Sequence, residues 1–264
     1  MSKICFIGAG NMAFAMASAL YEKKKDITIG LYDINPERVN LFKDSFNNSQ
    51  IYNSIEELCI DSDFIVLAVK PQVIESVFVS LNSFKGIAVS IIAGKSIEFL
   101  KSGLPNAKIV RVMPNTPSLV GAMAAGVSFD KGFNQVEIVR VMDFLQCSGE
   151  AIEVSESQMD AVTGISGSGP AFVARIIQKF INAGISQGLT PETSRKLAVN
   201  TFLGTAKLIL EKDMDIDNLI NMVSSPGGTT IAGRGVLENS NIDEIINNTV
   251  EATVKKSREL GQKC

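Results

Sequence analysis

A glycine-rich turn near the start of the chain constrains the fold more than any other feature of the sequence. The segment FIGAGNMA (6–13) follows an apolar run typical of a buried strand and opens a helical pattern (11–23). Gly8 permits a tight turn, and Gly10 lets a pyrophosphate approach the backbone at the amino end of that helix. Ala13 allows close contact between helix and strand. This GxGxxA pattern predicts a dinucleotide site in a βαβ unit, and its alternative is a glycine-rich turn without a ligand.

The first half of the chain alternates apolar strand patterns with helical patterns. Repeated βαβ units with continuous apolar strands are typical of a parallel sheet that is covered on both faces. We therefore expect residues 1–158 to form a Rossmann-like, doubly wound parallel sheet of the α/β class. The predicted strands are 3–8, 27–33, 63–69, 87–93 and 108–113, and the predicted helices are 11–23, 36–46, 54–60, 72–81 and 96–103.

Past residue 155 only helical periodicity remains. The helices are rich in Ala, Ile, Leu and Val, and so much apolar helix surface suggests burial against another chain. We therefore expect residues 159–264 to form an all-α dimerisation domain, in a homodimer or a higher homo-oligomer. The predicted helices are 169–188, 191–211, 215–223, 228–238 and 242–260.

The composition argues against several kinds of chemistry and partner. The sequence contains no histidine, which removes Ser-His-Asp catalysis and most catalytic zinc sites, and we expect no metal. A net charge of -3 argues against a nucleic-acid partner, and the lack of a long apolar run argues against a membrane partner. The amino terminus has no signal-peptide pattern, and widely spaced cysteines favour reduced thiols in a cytoplasmic protein. The cysteines are Cys5, Cys59, Cys147 and Cys264.

Asp33 lies at the end of the second predicted strand, where a Rossmann fold places an acid on the adenosine ribose hydroxyls. A carboxylate there would repel a 2′-phosphate and favour NADH. The alternative for Asp33 is a helix cap before Asn35 and Pro36. Arg38 is the nearby cation that would counter the acid, so both NADPH and NADH stay open as cofactors.

A second glycine-rich segment, SSPGGTTIAG (224–233), leads into an apolar helical pattern near the end of the chain. Pro226 sets a rigid turn, and the glycines that follow leave the backbone bare. Free N–H groups of Gly228, Thr229 and Thr230 at a helix start would then form a nest for a carboxylate. The alternative is a plain helix start with an ordinary side-chain cap.

Five motifs are distributed over essentially the whole chain. They are FIGAGNMA (6–13), AVKPQ (68–72), RVMPNTP (111–117), TGISGSGPAF (163–172) and SPGGTTIAG (225–233). Together they resemble the pyrroline-5-carboxylate reductase family, for which the last two motifs are specific. The resemblance implies NAD(P)H-dependent reduction of 1-pyrroline-5-carboxylate, a small cyclic imino acid, to L-proline, the last step of proline biosynthesis. It also implies a Rossmann domain, a helical dimerisation domain, and an active site between the Rossmann domain and helices of both subunits.

The resemblance also implies roles for individual residues. Gly228 and Thr229 would bind the substrate carboxylate, and the hydroxyl of the catalytic Thr230 would reach the ring nitrogen. Asp213 would approach the substrate from the partner subunit, and its alternative is a solvated surface acid. Ser168 lies in a small-residue stretch that predicts either a wall of the substrate pocket or tight helix packing. The residues implied to bind the cofactor, in addition to Asp33, are Ile7, Gly8, Ala9, Gly10, Asn11, Met12, Asn53, Ala68, Val69, Lys70, Pro71, Ile92, Ala93 and Asn115.

The chemistry fits a chain without histidine. A cyclic imine becomes electron-poor when its nitrogen is protonated, and the substrate can bring that proton, so the protein must chiefly supply orientation. Lys70 is a poor acid near neutral pH unless it is buried, so we assign it to cofactor binding or loop structure. A β-hydroxyacid dehydrogenase would need Lys and Asn where this chain has Val173 and Ile177. A related imine reductase and a non-catalytic dinucleotide sensor also stay open as functions.

Overall fold

The computed structural model describes residues 3–262, so Cys264 lies outside the described residues. Within this range the strands are β1 (Lys3–Ile7), β2 (Thr28–Tyr32), β3 (Ser49–Ile51), β4 (Phe64–Leu67), β5 (Ile87–Ser90), β6 (Lys108–Met113), β7 (Met123–Phe129) and β8 (Gly149–Glu153). The helices are α1 (Asn11–Lys23), α2 (Pro36–Ser45), α3 (Ile55–Ile60), α4 (Ile74–Leu81), α5 (Ile97–Gly103), α6 (Gln135–Leu145), α7 (Met159–Val162), α8 (Gly169–Ser186), α9 (Pro191–Lys212), α10 (Ile216–Met222), α11 (Thr229–Glu238) and α12 (Ile242–Gln262).

All eight strands form one sheet in the order β3-β2-β1-β4-β5-β6-β7-β8. Strands β1 to β6 pair in parallel, which confirms the predicted Rossmann-like sheet. The order reverses between β1 and β4, and this reversal creates the crevice in which open α/β sheets bind their ligands.

The sheet extends beyond the predicted strands at one edge, where one pair of strands is antiparallel. Strand β7 pairs antiparallel with β6, and β8 then pairs in parallel with β7. Sequence analysis missed helices α6 and α7 and the strands β3, β7 and β8. Strand β3 has only three residues, β7 (MAAGVSF) is rich in small residues, and β8 (GEAIE) carries two acids, so none presents a continuous apolar run.

The central strands are apolar throughout because both of their faces are buried. Neighbouring residues of β1 point to opposite sides: Phe6 belongs to one hydrophobic cluster and Ile7 to the other. The ring of Phe6 lies 6.3 Å from that of Phe42 and 6.3 Å from that of Phe144, so helices α2 and α6 both pack on this face. Leu100 of α5 packs on the opposite face, which confirms a sheet covered on both sides.

The predicted helices agree with the structure to within two residues at each end. Local capping explains this agreement. The side chain of Asn35 accepts from the N–H groups of Glu37 and Arg38 at the start of α2, whose first residue is Pro36. Ser54 caps α3 in the same way.

The chain divides into two compact units. One runs to Pro170 and includes the chain from Ala252 onward, and the other is Ala171–Glu251. In the second unit only Ser194, Ala198 and Leu219 are buried. Large apolar side chains of its helices are exposed instead, among them Val173, Phe180, Leu197, Leu203, Leu210, Val236 and Ile245.

Three cysteines of the described chain, Cys5, Cys59 and Cys147, are free thiols. Burial raises the pKa of each, in the case of Cys59 to about 12, so they stay uncharged and weakly reactive at neutral pH. Among residues 3–262 no helix has the length and apolar character needed to cross a membrane. The same residues contain no group of three His, Cys, Asp or Glu side chains arranged to hold a metal ion.

Replacing Ser148 by Ala should leave stability unchanged or raise it by up to about 1 kcal/mol, because an unpaired buried hydroxyl is costly. Ser148 is fully buried, and its Oγ has no hydrogen-bond partner among the described residues. The matched control is Ser194→Ala, since Ser194 is also buried but its Oγ donates to the Ile181 carbonyl at 2.7 Å. That variant should lose about 1 kcal/mol. Urea unfolding followed by circular dichroism measures both, and a larger loss for Ser148→Ala than for Ser194→Ala would refute this expectation.

Candidate functional site

The turn between β1 and α1 can be built only with glycine at its first position. Gly8 has a φ of +101°, and a Cβ there would lie 2.7 Å from the Ala68 carbonyl oxygen. The Gly8 N–H donates to the Tyr32 carbonyl at 2.9 Å. The end of β1 is therefore held between the ends of β2 and β4, at the point where the strand order reverses.

Helix α1 begins without a side-chain cap. Its N-cap residue is Gly10 in an extended conformation, and no acidic residue lies in its first turn. A Cβ at Gly10 would meet nothing within 4 Å, so the space in front of these backbone amides is open. Free first-turn N–H groups and the positive end of the helix dipole together favour an anion here.

A cavity of about 810 Å³ lies along this turn. Its size is typical of a site for a cofactor or a drug-sized ligand. It brings together eight of the residues predicted to bind the cofactor: Ile7, Gly8, Gly10, Asn11, Asp33, Ala68, Val69 and Lys70.

The rest of the cavity lining contains residues that the sequence analysis did not predict to bind the cofactor. Arg38 is one of them, and four others are apolar: Ile34, Ile55, Val73 and Val77. Ile34 is 88% exposed directly after Asp33, and an apolar residue beyond a strand end is the signal that could have found it.

The other predicted cofactor residues do not line this cavity. Ala9 and Ile92 are buried, Asn53 and Ala93 are exposed, and Pro71 is half-buried. The side chain of Ile92 packs in the second hydrophobic cluster together with Leu100. Only the backbone of Ile92 is therefore available for a contact with a cofactor.

Met12 and Ser118 form a further contact at the start of α1. The Ser118 Oγ donates to the Met12 Sδ at 3.3 Å, which ties this helix to the short 3-10 turn after β6. Met12 was predicted to bind the cofactor because it lies in the glycine-rich motif, and that role stays a prediction.

Asp33 and Arg38 both attach to the peptide groups of Ala9. The Ala9 N–H donates to Asp33 Oδ2 at 2.6 Å, and the Arg38 Nε donates to the Ala9 carbonyl at 2.6 Å. Asp33 Oδ1 accepts from the Asn35 N–H at 2.7 Å. Asp33 thus fastens the glycine-rich turn to the end of β2. The alternative that Asp33 caps α2 is wrong, because Asn35 is the cap.

The buried side chain of Asn115 connects two segments of the chain through hydrogen bonds. Its Oδ1 accepts from the Ala124 N–H of β7 at 3.0 Å, and its Nδ2 donates to the Ser166 carbonyl at 3.2 Å. The side chain is 7% exposed. The predicted role of facing the nicotinamide is untested, whereas these protein partners give Asn115 a structural role of its own.

The segment Thr163–Gly167 forms a π-helical turn directly before α8. The Ser168 N–H donates to the Thr163 carbonyl at 2.9 Å, and a Cβ at Gly167 would approach the Met113 Cε to 2.4 Å. A side chain at position 167 would therefore require the end of the Met113 side chain to move. Such π-helical turns are frequent at functional sites, so packing does not remove Ser168 as a pocket residue.

The segment before α11 has the geometry of a type II turn. Pro226 takes its second position and Gly227, with a φ of +71°, its third, while the Gly228 N–H donates to the Ser225 carbonyl at 2.9 Å. The expectation that the Gly228 N–H is free is therefore wrong, because the turn uses it.

Helix α11 starts in the same way as α1. Gly228 is its extended N-cap without a side-chain cap, and no acidic residue lies in its first turn. Thr229 and Thr230 are exposed, and their N–H groups have no partner within the helix. The predicted carboxylate site therefore loses the Gly228 N–H and keeps the N–H groups of Thr229 and Thr230.

Asp213 ends α9 in a left-handed conformation, with φ and ψ of 46° and 44°. Among the described non-glycine residues it alone has a positive φ. The residue is exposed, and its negative charge lies at the negative end of the helix dipole. Two unfavourable features at one residue make Asp213 a reasonable functional candidate, and its role toward substrate stays a prediction.

Comparison with known proteins identifies both halves of the chain. The family model described as pyrroline-5-carboxylate reductase dimerisation matches residues 156–260, and the one described as NADP oxidoreductase coenzyme F420-dependent matches residues 3–94. The chain is 36% identical to a pyrroline-5-carboxylate reductase of Synechocystis sp. over 97% of both chains.

Solved structures agree over nearly the full length. A pyrroline-5-carboxylate reductase of Coxiella burnetii matches with a TM-score of 0.92 and 32% identity, covering 98% of both chains. The Plasmodium falciparum pyrroline carboxylate reductase with NADP bound matches with a TM-score of 0.84 and 32% identity, covering 99% of this chain and 100% of that one.

Replacing Asn115 by Ala should lower the free energy of unfolding by about 1–3 kcal/mol, because two partly buried backbone groups lose their hydrogen-bond partner. The dissociation constant of the dinucleotide should change less than about threefold, since the amide is occupied by protein groups. Asn106→Ala is the control: its Nδ2 bonds the Asn82 carbonyl at 3.2 Å at an exposed position. Thermal unfolding and fluorescence titration measure the two effects. Unchanged stability with much weaker binding would place Asn115 against the cofactor instead.

Proposed function

Because this chain belongs to the pyrroline-5-carboxylate reductase family, we propose that it reduces 1-pyrroline-5-carboxylate to L-proline with a hydride from NADPH or NADH. Similarity over nearly the whole length of the relatives carries this function. The enzyme is thus an oxidoreductase of proline biosynthesis. The cavity beside the uncapped start of α1 supplies the place that such a cofactor needs.

The first amides of α1 hold the pyrophosphate in this proposal. Gly10 leaves room for the phosphate oxygens, and Asn11 and Lys70 line the same cavity. Lys70 is exposed, so it serves as a charge for the phosphates and not as a buried acid. The cofactor supplies the hydride, and the chain orients it. The roles of Ala9, Met12, Asn53, Pro71, Ile92 and Ala93 rest on the family pattern alone.

The substrate carboxylate binds the N–H groups of Thr229 and Thr230 in this proposal. An uncapped helix start without nearby acids favours a negative group, and the exposed Thr230 hydroxyl can bond the ring nitrogen. The protonated imine arrives with its own proton, so Thr230 orients the ring and need not act as an acid. Ser168 and Asp213 are further substrate contacts in the proposal, supported by the π-helical turn and by the strained backbone of Asp213.

The family's dimerisation domain makes the protein a homo-oligomer. A homodimer or a larger assembly is the finer proposal, supported by the exposed apolar side chains of the second unit. We also propose residues 1–158 and 159–264 as the two domains, since the dimerisation match begins at residue 156. A cytoplasmic location and the lack of a nucleic-acid partner are proposals that rest on the free cysteines and on the net charge of -3.

Thr230→Ala should lower kcat/KM for pyrroline-5-carboxylate by about 10- to 100-fold, because a hydrogen bond to a charged group is lost. The dissociation constant of the cofactor should stay within about twofold of wild type. Thr230→Ser is the matched control, since it keeps the hydroxyl and should retain most of the activity. The measurement is NAD(P)H oxidation at 340 nm with each cofactor, together with a fluorescence titration of cofactor binding.

The same assay separates the reductase from a sensor and from a dehydrogenase. Cofactor binding without turnover of any imine would indicate a dinucleotide sensor, and turnover of a β-hydroxy acid in its place would indicate a dehydrogenase. Unchanged kinetics in Thr230→Ala would refute the role of the hydroxyl while leaving the reductase function in place.

A further inference from the structure

The carboxyl end of α12 contacts the loop that follows β5 through backbone atoms. Gly94 of this loop has a φ of +76°, and a Cβ built on it would lie 3.7 Å from the Leu260 carbonyl oxygen. A Cβ at Gly261 would lie 3.4 Å from the Gly94 carbonyl oxygen. These residues belong to one compact unit, which includes the chain from Ala252 onward. Because the two backbones touch directly, a shift of the helix end is passed on to the loop.

A carboxylate holds the same end of α12 in place. The Ser257 Oγ donates to Asp160 Oδ1 at 2.6 Å, and the Arg258 Nε lies 3.8 Å from Asp160 Oδ2. Ser257 lies four residues before Gly261, so its side chain and the glycine lie on the same side of the helix. A hydrogen bond to an ionised carboxylate is stronger than one between neutral groups. Asp160 therefore fixes α12 at the turn that contacts the loop.

The helical segment that carries Asp160 also holds the far end of this loop. Glu156 lies four residues before Asp160, and its Oε1 accepts from the Ile97 N–H at 2.6 Å, at the start of α5. The same oxygen accepts from the Arg111 Nη1 of β6 at 3.2 Å. The loop between β5 and α5 is thus fastened at Ile97 by Glu156, and it is contacted at Gly94 by the end of α12.

The loop lies where a bound dinucleotide would present its reacting ring. An open α/β sheet binds a dinucleotide across the carboxyl ends of its strands, on both sides of the reversal in strand order. The adenosine end lies over β2 in such folds, so the other end lies over β4 and β5. Ala93, directly before Gly94, is exposed after the carboxyl end of β5. A displaced loop would therefore move the ring relative to the substrate.

We propose that Asp160 is a positioning residue for hydride transfer. Its hydrogen bond with Ser257 holds the end of α12 against Gly94 and thereby fixes the loop on which the nicotinamide rests. Asp160 touches neither the cofactor nor the substrate in this scheme. Hydride transfer depends steeply on the geometry of the reacting carbons, so a small displacement lowers the rate more than it lowers the affinity. The kinetic part of this inference rests on the proposed function.

The kinetic test follows a single turnover by stopped-flow absorbance at 340 nm, with saturating cofactor and pyrroline-5-carboxylate. Ser257→Ala should slow hydride transfer by about 5- to 30-fold, while the dissociation constant of the cofactor stays within about twofold of wild type. Ser257→Thr keeps the hydroxyl and should retain most of the rate. The matched control is Ser102→Ala, because Ser102 is exposed and its Oγ donates to the Phe99 carbonyl at 2.7 Å within α5.

Variants of Asp160 test whether the two side chains act as one unit. The rate of Asp160→Ala combined with Ser257→Ala should lie within about twofold of the slower single variant, because each substitution removes the same bond. Asp160→Asn keeps an oxygen that can accept from Ser257, so it should slow hydride transfer less than Asp160→Ala does. It also provides the measurement if Asp160→Ala does not fold.

Hydrogen–deuterium exchange tests the contact without any turnover. Amides of the loop, residues 91–97, should exchange at least about fivefold faster in Ser257→Ala than in wild type, because the loop opens more often when the helix end is released. Amides of β1 should exchange at the wild-type rate, since this strand is central in the sheet. Ser102→Ala serves as the control in this experiment as well.

Three outcomes would overturn the proposal. Lower thermal stability of Ser257→Ala with an unchanged rate of hydride transfer would show that the bond to Asp160 is only structural. Equal losses of rate and of cofactor affinity would indicate a general disturbance of the site. Unchanged exchange of the loop would show that α12 does not hold it. If the wild-type enzyme turns over no imine, the proposed function fails, and the exchange experiment still decides whether α12 holds the loop.

Discussion

The close approach of β1 to β4 is the constraint on which the rest of this protein depends. At Gly8 the backbone passes so near to the Ala68 carbonyl that any side chain would collide with it, and the left-handed φ excludes the other residues on a second ground. This contact brings the first turn of α1 to the reversal of strand order. The cavity therefore lies beside the free first-turn amides of α1, where the strand order reverses.

A chain without histidine has to rely on electrostatics and on the positioning of its ligands. In this chain, glycine residues at two helix starts leave the backbone N–H groups open to anions. Gly10 and Gly228 each stand at the N-cap of a helix, extended and without a capping side chain, and neither helix has an acid in its first turn. In the side-chain-capped helices, such as α2 and α3, Asn35 and Ser54 occupy that same positive end. Leaving two helix starts uncapped costs some local stability and provides two places for anionic groups.

Sequence reasoning was strong where the physics is local. The helix bounds followed from caps and periodicity, and the glycine-rich turn followed from a short motif. Reasoning failed where partners are distant in sequence: Asp33 meets Ala9 across 24 residues, and Asn115 meets Ser166 across 51. No local pattern encodes such pairs. The antiparallel β7 was missed for another reason, since its small residues lack the apolar alternation that marks a strand.

The sparse interior of Ala171–Glu251 has a consequence for how the protein persists at low abundance. Three buried residues give an 81-residue helical unit little apolar burial to offset the conformational entropy that it loses on folding, so we expect association to contribute to its stability. The free energy of unfolding should then rise with protein concentration, as mass action requires. A defective subunit would also weaken every sound copy with which it assembles.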